Sequence, residues 1–75
     1  MWIEIRVLYG RYGGWSIGSV RVYSEIGLKL DEGFERVEDD EFEEVIDRVV
    51  MSGLIKEIWV KRFEDMDVLM VKVRD

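Results

Sequence analysis

The side chains in this sequence that are best suited to bind a ligand or a partner are the carboxylates between residues 31 and 47. This stretch holds ten carboxylates and one base, Arg36, so its formal charge is −9, while the whole chain carries −6. Such a field attracts a basic protein surface or a divalent cation. It also has the sign of a nucleic-acid backbone, so the stretch could occupy a nucleic-acid-binding protein as a mimic.

Five of these carboxylates are close enough in sequence to form one docking surface for a basic partner: Asp39, Asp40, Glu43, Glu44 and Asp47. Asp39, Glu43 and Asp47 recur every four residues, which would place three oxygens on one helical face. Such spacing is common in acidic helices, and no metal-binding loop accompanies it. We therefore predict no metal site, and the docking surface competes with a solvated face that only complements the helix dipole.

A second group of side chains that could bind a ligand surrounds the glycine-rich segment 10–14. Arginine and aromatic side chains on a sheet can contact phosphates and stack on bases. Tyr9, Tyr23 and five further residues of the first hairpin have those types, and these five are the candidate contacts: Arg6, Arg11, Tyr12, Trp15 and Arg21. The same types are also ordinary strand formers and ion-pair partners. Because phosphate binding depends on a positive field, the negative net charge makes nucleic-acid binding the alternative function.

Catalysis finds little support in the composition. The chain has no histidine and no cysteine, which excludes disulfides, thiolate chemistry and the usual zinc sites, and leaves the serines without their usual activating base. A chain of 75 residues also has little room for an enclosed cleft. We predict that the protein is not an enzyme, with no catalytic residues, no cofactor and no metal.

A helix from about Asp40 to Ser52 is expected to position the acidic side chains. Asp40 suits the N-cap with Glu43 as its capping-box partner, and Gly53 suits the residue after the helix. One apolar stripe follows the 3.6-residue period of a helix and must pack on a sheet. The stripe consists of Phe42, Val45, Ile46, Val49 and Val50.

Four strands are predicted from period-two alternation and β-branched residues. Residues 2–9 and 15–24 form a first hairpin across the glycine turn, and a change of phase around Gly18 and Ser19 predicts a β-bulge. Residues 54–63 and 66–74 form a second hairpin. The expected fold is a single α+β domain over residues 1–75, in which an antiparallel sheet of two β-hairpins packs on one amphipathic helix in the order ββαββ.

Apolar surface that one helix cannot cover predicts self-association. The segment 68–71 is entirely apolar, as in a strand buried on both sides. We predict a homodimer, joined through a sheet face or by pairing of edge strands, with Trp59, Val68 and Met70 in its interface. In a monomer the same surface would need a lid formed by four residues before the helix: Leu28, Leu30, Phe34 and Val37.

The amino-acid composition also indicates the kind of organism from which the protein comes. Seven residue types are missing, namely Ala, Thr, Pro, His, Gln, Asn and Cys. The loss of Asn, Gln and Cys beside abundant Glu, Lys and Arg is typical of heat adaptation. The other losses match a sense strand depleted in cytosine, because all codons for Ala, Thr, Pro, His and Gln contain it. We therefore hypothesise a hyperthermophilic archaeal virus or similar mobile element, and ordinary cytosine use at wobble positions would contradict it.

Together these patterns predict a small protein that acts by binding a macromolecule, with the acidic helix as a docking surface or nucleic-acid mimic. The alternative is a small nucleic-acid-binding module that uses the first hairpin. No apolar run approaches the ~20 residues of a membrane span, and the N-terminal residues do not resemble a signal peptide. The expected location is the cytoplasm, or the interior of a host cell.

Overall fold

The fold is an antiparallel sheet of five strands in a computed structural model, which describes residues 1–30, 32–38 and 54–74. The order across the sheet is β2-β1-β5-β4-β3, so β5 is central, while β2 and β3 form the two edges. The strands span Trp2–Tyr9 (β1), Trp15–Tyr23 (β2), Glu35–Val37 (β3), Ile55–Arg62 (β4) and Met66–Val73 (β5).

The predicted α+β fold class is wrong, because the part of the chain that the structure describes contains five strands and no helix. Both hairpins are confirmed by the antiparallel pairing of β1 with β2 and of β4 with β5. The predicted order lacked β3, which pairs with β4 and extends the sheet. Three residues are too few to show alternation, so only pairing with a neighbour reveals this strand. The helix predicted over residues 40–52 lies outside the described residues.

Glycines shape the turn of the first hairpin as predicted. The Gly10 N–H donates to the Gly14 carbonyl over 3.1 Å, and the Gly13 N–H donates to the Gly10 carbonyl over 3.2 Å. Gly13 and Gly14 have φ angles of 92° and 79°, which residues with a Cβ rarely adopt. The chain can therefore reverse within five residues and bring β2 back along β1.

The β-bulge predicted near Gly18 and Ser19 is confirmed. Ser19 pairs with Arg6, but the next residue of β1 pairs with Ile17, so Gly18 has no partner in the register. The extra residue brings Ile17 and the valines of β2 onto the same face of the sheet. A Cβ on Gly18 would lie 2.8 Å from Cδ1 of Leu8, so a larger residue here would displace that side chain.

One face of the sheet carries the main apolar core. Residues of β1, β4 and β5 alternate inward and outward, and their inward side chains are almost completely shielded from solvent. Two residues of β2 and one each of β3 and β4 pack partly against them. The cluster comprises Ile3, Ile5, Val7, Ile58, Val60, Leu69, Val71 and Val73, with Trp15, Ile17, Val37 and Ile55 at its margin.

The opposite face is covered in part by the segment between β2 and β3. These strands lie at opposite edges, so the connection has to cross the sheet. Leu28, Leu30 and Phe34 line a groove of about 190 Å³ together with Met70 of β5. Three residues of the predicted lid thus lie over this face, whereas Val37 packs at the margin of the core on the other face.

Cover on both faces explains the apolar run in β5. Leu69 is fully buried, and Met70, which points to the other face, is only 4% exposed. Val68 is 8% exposed and lies between Arg6 of β1 and Lys61 of β4. The central strand is therefore the most shielded element among the described residues.

Candidate functional site

The five residues of the predicted nucleic-acid surface do not form one surface. Trp15 packs against the core cluster, whereas Arg6 and Arg21 lie on the opposite face of the sheet. Nε of Arg6 lies 3.3 Å from Oε1 of Glu4, so part of its charge is already neutralised. Arg11 and Tyr12 are in the exposed turn, where Tyr12 is 95% exposed. The structure therefore distributes the five residues over two faces of the sheet and the turn, and only in the turn do a basic and an aromatic residue, Arg11 and Tyr12, stay together.

The three predicted dimer-interface residues are largely shielded within a single chain. Trp59 pairs with Met70 in the register of β4 and β5, and its indole N–H donates to Oε2 of Glu57 over 3.4 Å. Met70 lies in the groove beneath the crossing segment, and Val68 is buried. Self-association through these residues was inferred from uncovered apolar area, and that area is small here. The predicted docking residues, Asp39, Asp40, Glu43, Glu44 and Asp47, lie outside the described residues.

The outer edge of β2 carries backbone groups with which no strand of the described residues pairs. On the other side of β1, the Tyr9 N–H donates to the Asp65 carbonyl over 3.1 Å and the Val73 N–H to the Met1 carbonyl over 3.0 Å. Odd-numbered residues of β1 therefore point their backbone groups toward β5. Because this direction alternates along an extended strand, the even-numbered residues point toward β2.

This alternation assigns the backbone directions in β2. Glu4 pairs with Arg21, and Trp2 pairs with Tyr23, so Arg21 and Tyr23 exchange hydrogen bonds with β1. Val20 and Val22 alternate with them and direct their N–H and C=O groups away from the sheet. In the part of the chain that the structure describes, no strand pairs with this edge.

Exposed apolar side chains accompany these open backbone groups. Val20 is 47% exposed and Val22 63%, although both share the face that carries the core. Ile26, which follows β2, is 94% exposed and lines a shallow groove with Val22. An edge strand of nine residues with exposed valines is a template for pairing with another chain.

The sequence pattern did not identify Val20 and Val22 as surface residues. Their alternation correctly placed them on the inward face, but it could not show that this face is exposed at β2. The run from residue 15 to residue 23 without proline, lysine or an acidic residue was the available signal, because natural edge strands usually contain such protective residues.

A buried carboxylate links the two hairpins. The Tyr9 hydroxyl of β1 donates a 2.6 Å hydrogen bond to Oδ2 of Asp67 in β5, and Asp67 is only 5% exposed. Asp67 also stands opposite Arg62 in the register of β4. The hydrogen bond to Asp67, then burial and the negative charge of Asp67, raise the pKa of Tyr9 from 10.0 to about 12.

This link predicts a loss of stability at high pH. The raised pKa of Tyr9 means that the fold favours the neutral phenol, so its contribution is complete below pH 10 and is lost as the pH rises through about 12. Subtracting the ultraviolet titration of Tyr9→Phe from that of the wild type should isolate a phenol with its midpoint near pH 12. A difference curve centred near pH 10 would show that the Asp67 contact does not persist in solution.

Groups of possible metal ligands and membrane-spanning helices are both absent from the described residues. Among residues 1–30, 32–38 and 54–74, no three acidic, histidine or cysteine side chains are grouped as metal ligands would be. Within the same residues, no helix is long and apolar enough to cross a membrane.

Comparison with known proteins adds no functional assignment. No protein-family model matches this chain, and neither a curated protein nor a solved structure matches it significantly.

Proposed function

We propose that this chain is a small protein-interaction protein that binds another polypeptide by main-chain pairing along the open edge of β2. The outward backbone groups of Val20 and Val22 are the observation that carries the proposal. Main-chain hydrogen bonds to an added strand supply affinity, and the side chains beside them supply selectivity. Val22 and Ile26 add exposed apolar area next to the pairing groups.

A polypeptide suits this edge better than a nucleic acid. The edge presents valines between its backbone donors and acceptors, and phosphate binding gains little from apolar side chains. Arg11 of the first hairpin lies in the turn, whereas Arg6 and Arg21 lie on the face of the sheet that does not carry Trp15. For these reasons a nucleic-acid-binding module based on this hairpin is the second choice and is kept as the alternative proposal.

Separately from the β2 edge, the acid-rich stretch supports a basic protein as a further partner. Its charge of −9 between residues 31 and 47 lies on a chain whose remaining residues sum to +3. Opposite charge steers encounter and selects partners more than it adds affinity. This part of the proposal rests on sequence charge, whereas the proposed heat-adapted viral origin and the proposed absence of catalysis rest on residue types that are missing from the sequence.

Paired proline substitutions test the backbone directions on which the proposal depends. Arg21→Pro removes an N–H that bonds to β1 and leaves a carbonyl unpaired, so it should destabilise the fold by about 1–3 kcal/mol. Val22→Pro removes an N–H that points to solvent and should cost far less. Urea unfolding of both variants in dilute solution measures the difference. Equal losses of stability would mean that the edge is not oriented as described.

Association assays with the same variant test the function itself. Wild-type protein and Val22→Pro are immobilised, and proteins retained only by the wild type are identified, purified and titrated against both. Loss of binding in Val22→Pro with retention in Val22→Thr, which keeps the N–H, supports main-chain pairing. A gel shift separates the alternative, because binding to nucleic acid should weaken steeply as salt rises. Tight nucleic-acid binding unaffected by Val22→Pro would replace the proposal.

A further inference from the structure

We infer that the polypeptide bound at the β2 edge is a second copy of this chain, paired antiparallel about a two-fold axis at Val22. This inference rests on the proposed function and names its partner. The five described strands of each copy would join into one continuous sheet, with β2 of each copy at the junction. The interface differs from the sheet face around Trp59 and Met70, where a single chain already shields Met70.

Symmetry favours a second copy as the occupant. A two-fold axis perpendicular to the sheet places any edge strand antiparallel to itself, so each outward donor meets an outward acceptor without a dedicated partner sequence. A 75-residue chain is also near the size at which association contributes to stability.

The side chains of β2 select the register. An axis at Arg21 would place the two Arg21 side chains directly opposite each other, and like charges in that position are destabilising. An axis at Val20 would place Val22 opposite the bulge residue Gly18, where regular pairing is interrupted. An axis at Val22 avoids both problems.

The Val22 register also creates favourable contacts. It places Arg21 across from Tyr23 of the second copy on one face, an arrangement suited to a cation–π contact. On the other face it brings the two Val22 side chains together. The groove lined by Val22 and Ile26 in each copy then lies next to the axis, where pairing covers its apolar surface.

The size and charge of this interface predict a weak, salt-dependent dimer. Pairing through a few residues buries less than the roughly 1,200 Å² of standard interfaces, so a dissociation constant in the micromolar range is expected. Each copy carries a net charge of −6, so added salt should screen repulsion and strengthen association. Nucleic-acid binding has the opposite salt dependence.

Single-cysteine variants test the register, since the native chain has no cysteine. Opposed Val22 residues would have Cα atoms about 5.5 Å apart, within the range of a disulfide. The two Val20 residues would be four positions out of alignment, about 13 Å apart along the strand. Val22→Cys should therefore form a disulfide dimer at least ~10-fold faster than Val20→Cys or Arg21→Cys. Both valines are exposed, so circular dichroism should show that these variants fold.

Sedimentation equilibrium of the wild type completes the test. A dimer that dissociates in Val22→Pro but not in Val22→Thr supports the inference. A monomer at millimolar concentration overturns it, and faster cross-linking of Val20→Cys or Arg21→Cys overturns the Val22 register. A monomer that still binds another protein through Val22 leaves the proposed function intact. A dimer that persists unchanged in Val22→Pro overturns the inference, because self-association would not use this edge, and the binding assay then decides the proposed function by itself.

Discussion

Leu69→Asp is expected to leave the chain unfolded at room temperature. Leu69 is fully buried in the central strand, between Ile5 of β1 and Val60 of β4. An aspartate there would place an unpaired charge in the apolar cluster and cost more than about 4 kcal/mol. A domain of this size has roughly 4–11 kcal/mol of stability in total. Far-ultraviolet circular dichroism and urea titration should show loss of most of the sheet.

Leu54→Asp is the matched control for this variant. Leu54 precedes β4 and is half-exposed, so the same change of side chain there removes little burial. Its stability should differ from the wild type by less than about 1 kcal/mol. If Leu69→Asp melted at the wild-type temperature, the assignment of β5 to the centre of the sheet would be wrong.

Met70→Lys should destabilise the single chain and not merely separate subunits. Met70 points to the face opposite Leu69, where Glu4 of β1 and Trp59 of β4 flank it and the crossing segment covers it. Replacing it should cost about 2–4 kcal/mol, because the lysine stem retains some packing while its ammonium must reach solvent. The melting temperature should fall by a similar amount at every protein concentration.

Concentration dependence separates this expectation from an interface role. If Met70 were shielded only by a second copy, Met70→Lys would yield a folded monomer whose stability matched that of the dilute wild type. Lys29→Met is a suitable control, because it makes the reverse change at an exposed position of the crossing segment. It should leave the melting temperature within a few degrees of the wild type.

Local features of the strands could be predicted from the sequence with good accuracy. Trp2–Tyr9 has the predicted bounds, and the other three predicted strands differ from the structure by one residue at one or both ends. Alternation and the glycine turn were sufficient because strand periodicity and turn conformation depend on neighbouring residues. The bulge could be predicted equally well, since a single extra residue shifts the phase of the apolar alternation.

The fold class could not be predicted in the same way. Nothing in Glu35–Val37 distinguishes a strand from a loop until β4 provides the hydrogen bonds. Leu28, Leu30 and Phe34 line a groove with Met70, so a loop covers part of the face for which the sequence pattern indicated no cover. The Tyr9–Asp67 contact joins residues 58 positions apart, and no local pattern in the sequence indicates it.

The sequence by itself determined where the chain extends, where it reverses and which side chains within each strand share a face. These properties follow from short-range sterics and from the two-residue repeat of an extended chain. Only the tertiary structure decided which strand is central, which edge is open and which face each loop covers. A hairpin has the same local sequence requirements at the centre of a sheet as at its edge, so long-range packing had to place β5 in the core and leave Val20 and Val22 exposed.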